Sequence, residues 1–253
     1  MTAAVMGVVN VTPDSFSDGG RYFEPREALR RAANMVEEGA SIIDFGAEST
    51  RPGAEPLSWR EEYARLEAIL PAAVAEFSQK ATVSVDTYHP ETAELAVKAG
   101  VGIVNCVYAE SVPAMLDIVK ANPSVELVVP TSFLGGEFSL PDSLAALADR
   151  IYLDPMIGFS DSREEDIARL HDIPRFASMA RVMVGVSRKR LVKRLTGEKV
   201  TGKNLGGSLA LAMWSVMAGA SVVRVHDVRE SVQAIKVLDA MGKRFGLTEG
   251  ECK

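Results

Sequence analysis

The chain has 253 residues, 47% hydrophobic and 25% charged, which suits a soluble globular protein with a large core. Its net charge of -6 is spread along the sequence, which excludes a basic nucleic-acid footprint and leaves any anion binding to local basic groups. Cys106 and Cys252 lie too far apart for a zinc motif or a disulfide framework, no apolar run is long enough to span a bilayer, and no signal-peptide pattern opens the chain, so the cytoplasm is the expected location.

The first element is a buried strand over 4–9, followed by the polar stretch Asn10-Val-Thr-Pro-Asp-Ser-Phe-Ser-Asp-Gly-Gly20. Pro13 lacks an N–H and the Asp, Ser and Gly residues form turns, so this stretch is a loop at the carboxyl end of the strand. It is long for a strand-to-helix connection and carries Phe16 among polar groups, which favours a functional loop over a plain one. A helix spans 24–39, started by Pro25 and stopped by Gly39. A second strand over 41–45 leads into the polar loop Glu48-Ser-Thr-Arg-Pro-Gly53. Ser58 and Glu61 make a capping box for the next helix, whose apolar stripe takes in Tyr63, Leu66, Ile69 and Leu70.

Strands then alternate with helices to the end. Strands fall at 82–86, 101–104, 125–130, 151–154, 182–186 and 221–225. Helices fall at 90–99, 112–120, 142–149, 163–170 (with a helical extension toward 176), 208–218 and 229–243. A glycine-containing loop spans 131–139, a polar segment over 196–207 splits two helical pieces, and the tail from 247 is expected to fray. The strands are continuous apolar runs, as strands buried on both faces are. Eight such units over 1–253, with no break in composition, predict a single (β/α)8 TIM barrel; a doubly wound open sheet is the runner-up.

In a barrel the strand ends converge on one mouth, bringing together Asn10, Arg51, Asp86, Asn105, Asp154, Lys189, Arg224 and His226. Ionised carboxylates only accept hydrogen bonds, so Asp86 and Asp154 with Asn105 suit a planar heterocycle bearing N–H donors. Arg51, Arg224 and His226 suit a phosphate group, and Asn10 offers an oxygen to a hard cation such as Mg²⁺. Lys189 is placed to reach the heterocycle. Plainer roles are expected elsewhere. Asp44 and Asp227 read as helix caps, Ser187 as a possible cap, Arg188 and Arg190 as solvated, His89 and His171 as surface residues, and Cys106 as a small apolar filler.

These motifs resemble those of the dihydropteroate synthases. The resemblance is carried by Met6-Gly-Val-Val-Asn-Val-Thr-Pro-Asp-Ser-Phe-Ser-Asp-Gly-Gly20 and Glu48-Ser-Thr-Arg-Pro-Gly53. It continues through Ser84-Val-Asp-Thr87, Asp154-Pro-Met-Ile-Gly-Phe159, Gly185-Val-Ser-Arg-Lys189 and Arg224-Val-His-Asp-Val228. The resemblance implies a TIM barrel in which p-aminobenzoate displaces pyrophosphate from 6-hydroxymethyl-7,8-dihydropterin pyrophosphate, in folate biosynthesis. It implies pterin binding by Asp86, Asn105, Asp154 and Lys189. Pyrophosphate would be held by Asn10, Arg51, Arg224 and His226, with Mg²⁺ at Asn10. Phe16, Thr50, Pro52, Phe159 and Ser187 would line the p-aminobenzoate site. The catalytic set is Asp14, Arg51, Lys189, Arg224 and His226, with the first two loops closing over the site. A homodimer through the apolar helix containing 209–217 and competition by sulfonamides are further implications.

The sequence departs from the family pattern in four places. Cys106 stands for an aspartate, which is expected to weaken or reorient pterin binding; Pro130-Thr-Ser-Phe133 stands for a Met-His pair; Met156 stands for a glycine; and the segment after the fifth strand is short. Three readings therefore stand: a dihydropteroate synthase; a sister synthase using another arylamine, as in methanopterin-type pathways; and a non-catalytic pterin-binding or corrinoid-dependent methyltransferase-like paralogue.

Overall fold

The apolar runs form eight parallel strands because neither face of them meets water. In a computed structural model, which describes residues 3–11, 25–48, 55–135, 139–160, 162–200 and 202–244, they are β1 (Ala4–Asn10), β2 (Ile42–Gly46), β3 (Thr82–Asp86) and β4 (Ile103–Asn105), then β5 (Glu126–Pro130), β6 (Ile151–Asp154), β7 (Arg181–Gly185) and β8 (Val222–Val225). They close in sequence order into a barrel, with β1 paired to both β2 and β8. The expected TIM barrel is the observed fold, and the open sheet is excluded by that closure.

The helices on its outside are α1 (Pro25–Glu37), α2 (Trp59–Leu66), α3 (Ile69–Phe77), α4 (Pro90–Lys98), α5 (Val112–Ala121) and α6 (Asp142–Ala145). They continue as α7 (Arg163–His171), α8 (Ile173–Ala177), α9 (Arg190–Thr196), α10 (Leu205–Met217) and α11 (Val228–Arg244). The capping box of α2 forms as expected: Glu61 N–H donates to Ser58 Oγ at 3.3 Å, and Ser58 N–H donates to the Glu61 carboxylate at 3.0 Å. The helix expected to run on through Leu70 is instead two, α2 and α3. Pro71 has no N–H to give to the carbonyl of Glu67, and its ring crowds that carbonyl, so a continuous helix breaks there. The helix expected over 142–149 is likewise α6 followed by a 3₁₀ turn at Ala148–Arg150. The loop after β5 opens with a 3₁₀ turn at Thr131–Leu134. The tail from 247 lies outside the described residues. Among the described residues no helix is long and apolar enough to cross a membrane.

Successive strand side chains alternate between the barrel interior and the helix layer. One phase gives a small interior cluster of strand residues only: Met6, Ile42, Ile103, Val128, Tyr152, Met183 and Val222. The other phase joins the helices in the main core, through Val5, Ile43, Phe45, Val85, Val104, Leu127, Leu153 and Val223. The interior cluster fills the barrel below the mouth. The same inward phase, continued toward the carboxyl ends, carries Asn10, Asp44, Ser84, Asp86, Asn105, Asp154 and Arg224.

Candidate active site

Asp44 lies in the middle of β2, flanked by the core residues Ile43 and Phe45, and is 0% exposed. Its partners close a network inside the barrel. Ser84 Oγ donates to Asp44 Oδ1 at 2.6 Å, and Asn105 Nδ2 and Arg224 Nε donate to Oδ2 at 3.0 and 2.7 Å. Arg224 Nη2 reaches across to Asp86 Oδ2, also at 2.7 Å. The expectation that Asp44 caps a helix is therefore wrong: it is the buried anion that holds Arg224. A buried charge needs such pairing, because desolvation otherwise penalises it heavily.

The network sets the charge states of the mouth. Burial lifts the Asp86 carboxyl to about 7, against the opposing pull of the Arg224 guanidinium. Burial alone would lower Arg224, yet the carboxylates of Asp44 and Asp86 leave it above its ordinary value, firmly a cation. Burial also raises Asp154 and lowers Lys189, each opposed by the other's charge. Asp154 Oδ1 accepts the N–H of Met156 at 2.8 Å, and Lys189 Nζ donates to the Ile157 carbonyl at 2.6 Å while standing 4.8 Å from the centre of the Phe159 ring. Asn105 Oδ1 is buried without a partner. An unpaired acceptor beside two carboxylates is a demand for donors that a ligand can meet.

At the end of β8, the backbone N–H of His226 donates to Ser187 Oγ at 3.3 Å, and its ring Nδ1 lies 3.2 Å from the same oxygen. Burial, then the positive charges of Arg224 and Arg188, push the imidazole down to about 3, so His226 is neutral near pH 7. Ser187 is thus placed against His226, while Phe159 is placed against Lys189. Arg188 is not solvated as expected. It makes a two-pronged ion pair with the carboxylate of Asp227, which was expected only to cap a helix. Asn10 ends β1 with a half-buried side chain. His89 is half-buried, with Nε2 3.1 Å from the Leu57 carbonyl and 3.6 Å from Glu48. Asp14, Phe16, Thr50, Arg51 and Pro52 lie outside the described residues.

The structure so brings Asp86, Asn105, Asp154, Lys189, Arg224 and His226 to one mouth. It adds two residues that sequence reasoning missed, Asp44 and Ser84. A usable signal was present: a charged residue between two apolar ones in a strand buried on both faces must point into the barrel.

Cys106 is the small core filler expected, and not the lost pterin contact that its place beside Asn105 also suggested. One position past Asn105, it belongs to the outer core with the helices, and its thiol donates to the Tyr108 carbonyl at 3.3 Å. Burial pushes it up to about 12, so it stays a neutral thiol. A carboxylate's absence at this place takes no acceptor from the barrel interior. Cys106→Ala is expected to leave kcat/KM unchanged and to cost about 1 kcal/mol of stability, read by steady-state kinetics and thermal melting. A drop in activity without a change in fold would restore Cys106 to the binding pocket. Met156 holds φ at 60, the left-handed region that favours glycine, so the chain keeps a glycine-like turn there despite its side chain.

A family model described as "Pterin binding enzyme" matches residues 6–132 and 143–226. The dihydropteroate synthase of Bacillus subtilis is 34% identical over 262 residues, covering 97% of this chain and 91% of its own. The Xanthomonas albilineans dihydropteroate synthase solved with 4-aminobenzoic acid superposes with a TM-score of 0.82 at 35% identity, covering 94% of this chain and 93% of that one. The Anaplasma phagocytophilum enzyme of the same name, solved with bound 6-hydroxymethylpterin-monophosphate, gives a TM-score of 0.80 at 30% identity, covering 95% of this chain and 100% of that one.

Proposed function

The chain belongs to the dihydropteroate synthase family of pterin-binding enzymes, and from that premise we propose that its barrel mouth condenses 6-hydroxymethyl-7,8-dihydropterin pyrophosphate with p-aminobenzoate. It is a transferase of folate biosynthesis. The C–O bond between the pterin methylene and pyrophosphate breaks, a C–N bond to the arylamine forms, and the amine loses a proton. The observation that carries the reading is the convergence of Asp86, the unpaired Asn105 Oδ1 and Asp154 with Lys189 and Arg224 inside a closed barrel. The match to proteins of this name over nearly their whole length favours this over the two other readings.

In this reading the pterin ring gives its N–H groups to Asp86, Asn105 and Asp154, and Lys189 meets its acceptor edge. Arg224 and neutral His226, with Asn10 and Arg51, hold the pyrophosphate. Arg224 has five N–H groups and spends two on Asp44 and Asp86, so donors remain for an anion. Departure of pyrophosphate needs charge stabilisation and positioning more than a protein nucleophile. Phe159 lines the arylamine site with Phe16, Thr50, Pro52 and Ser187, and Asp14 and Arg51 complete the catalytic set.

The donor set at the end of β1 fits Mg²⁺ through Asn10. Among the described residues no three His, Cys, Asp or Glu side chains gather around a common point. A cation that keeps its waters and leans on substrate phosphates needs only a ligand such as the Asn10 amide oxygen. When bound, it would supply charge neutralisation of the leaving pyrophosphate.

The fit of 1–253 to a single domain, a cytoplasmic location and a homodimer complete the reading. The dimer is supported by Trp214 and Met217 of α10 with Val237 and Met241 of α11, large apolar side chains left exposed on two helices that pack together.

Asp86 gives the reading a pH signature. Ionised, its carboxyl offers both oxygens to N–H groups, whereas protonated it gives up one acceptor for a donor, so kcat/KM for the pterin substrate should rise as pH increases through about 7, and this limb should vanish in Asp86→Asn. Stability runs the other way: the raised value favours the neutral form in the fold, a contribution complete at low pH and lost as pH rises through about 7. A flat profile in the unaltered protein would contradict Asp86 as pterin acceptor. Calorimetry with dihydropterin pyrophosphate, with pterin alone and with pyrophosphate alone tests the site as a whole. The intact substrate should bind far more tightly than either part; pterin binding that gains nothing from the pyrophosphate would mark a plain pterin binder.

A further inference from the structure

The connection from β6 to α7 carries Phe159, 42% exposed beside Lys189. Its backbone turns twice through positive φ within three residues, at Met156 (60) and Gly158 (86). A side chain at 158 would also collide with the Lys189 stem, its Cβ lying 2.8 Å from Lys189 Cδ. Such a turn satisfies little of its own backbone, since Phe159 N–H reaches the Met156 carbonyl only at 3.3 Å. Other elements hold it. Arg169 Nη1 donates to the Met156 carbonyl at 2.9 Å, Lys189 to that of Ile157, and Arg190 Nη2 to that of Ser160 at 3.0 Å.

The most demanding of these holds is Asp166, in the first turns of α7. It is 1% exposed, accepts the Gly158 N–H at Oδ1 over 2.8 Å, and leaves Oδ2 without a partner. A carboxylate sunk this far for a backbone N–H, with its second oxygen unpartnered, carries a desolvation cost. Its position explains the arrangement. The bond lands on the residue next to Phe159, at the point where the loop passes Lys189.

We propose that Asp166 is a positioning residue: by pinning the Gly158 N–H it fixes the Phe159 ring beside Lys189 and so sets the arylamine subsite. This rests on the reading that Phe159 lines that subsite.

The test uses the whole protein with Asp166→Ala, Asp166→Asn and Phe159→Ala, and two readouts. The first is amide exchange at Gly158, which reports the pin without reference to any ligand. It should lose protection in Asp166→Ala and regain it in Asp166→Asn, whose amide oxygen still accepts the bond; protection unchanged in Asp166→Ala overturns the pin. The second is KM for each substrate. In Asp166→Ala the KM for p-aminobenzoate should rise about tenfold, one lost hydrogen-bonded position, with that for the pterin substrate unchanged and the Asn variant restored. Equal rises for both substrates, or a folded Asn variant as impaired as Ala, overturn the proposal. An unaltered p-aminobenzoate KM in Phe159→Ala would instead strike the assignment of the arylamine subsite, whatever Gly158 exchange shows.

Discussion

Arg224→Ala is expected to lower kcat/KM by roughly a hundredfold or more, the scale for removing a fixed donor from developing negative charge. The loss should fall on turnover, because the leaving pyrophosphate gains its charge as the C–O bond opens. The variant should also lose stability. Arg224 bridges Asp44 and Asp86 through two bonds of 2.7 Å, and both carboxylates are buried or nearly so. Without the guanidinium, Asp86 is expected to take up a proton and Asp44 to keep only its bonds from Ser84 and Asn105. Arg224→Lys separates the two effects: it returns a cation but not the planar fork that serves two carboxylates at once. Stability should recover further than activity. Near-normal kcat/KM in Arg224→Ala would mean that the anion is held by other groups.

Asp44→Ala is the second large effect, and it is chiefly structural. Asp44 touches no proposed substrate group, yet it accepts from Ser84, Asn105 and Arg224 together. Removing one partner of a buried ion pair costs about 3–5 kcal/mol, since the other charge stays buried. In a domain of this size that corresponds to a fall in Tm of about 10 °C. Activity should fall as well, because Arg224 loses the bond to Nε that orients it and Asn105 loses the bond that aims its amide. Asp44→Asn keeps the volume and one acceptor, and should recover part of the stability. If Asp44→Ala melts as the unaltered protein does, the ion network is not what holds the barrel interior.

The barrel was legible in the sequence because parallel strands buried on both faces are continuous apolar runs, and nearly all of them here lead into polar residues on the same side. The pterin-side residues were legible for the same reason. What escaped was the inward or outward phase of individual positions. Asp44 looks like a cap when β2 is taken alone; pairing with Val8 and Ser84 puts it in the interior. Cys106 follows Asn105, yet one step past the end of β4 its side chain joins the outer core, as a small filler does. Arg188 with Asp227, and Asp166 with Gly158, are pairs between separate elements, which local pattern does not reveal. Pro71, by contrast, was a local signal that should have ended α2.

The reading of the mouth as a synthase is tested most directly by pyrophosphate release. The protein is mixed with 6-hydroxymethyl-7,8-dihydropterin pyrophosphate, Mg²⁺ and either p-aminobenzoate, another arylamine or no amine, and both pyrophosphate and the pterin product are followed. Pyrophosphate should be released in step with dihydropteroate, fastest with p-aminobenzoate and slowed by sulfonamides. Binding of the pterin substrate with no pyrophosphate release, whichever amine is present, would contradict it.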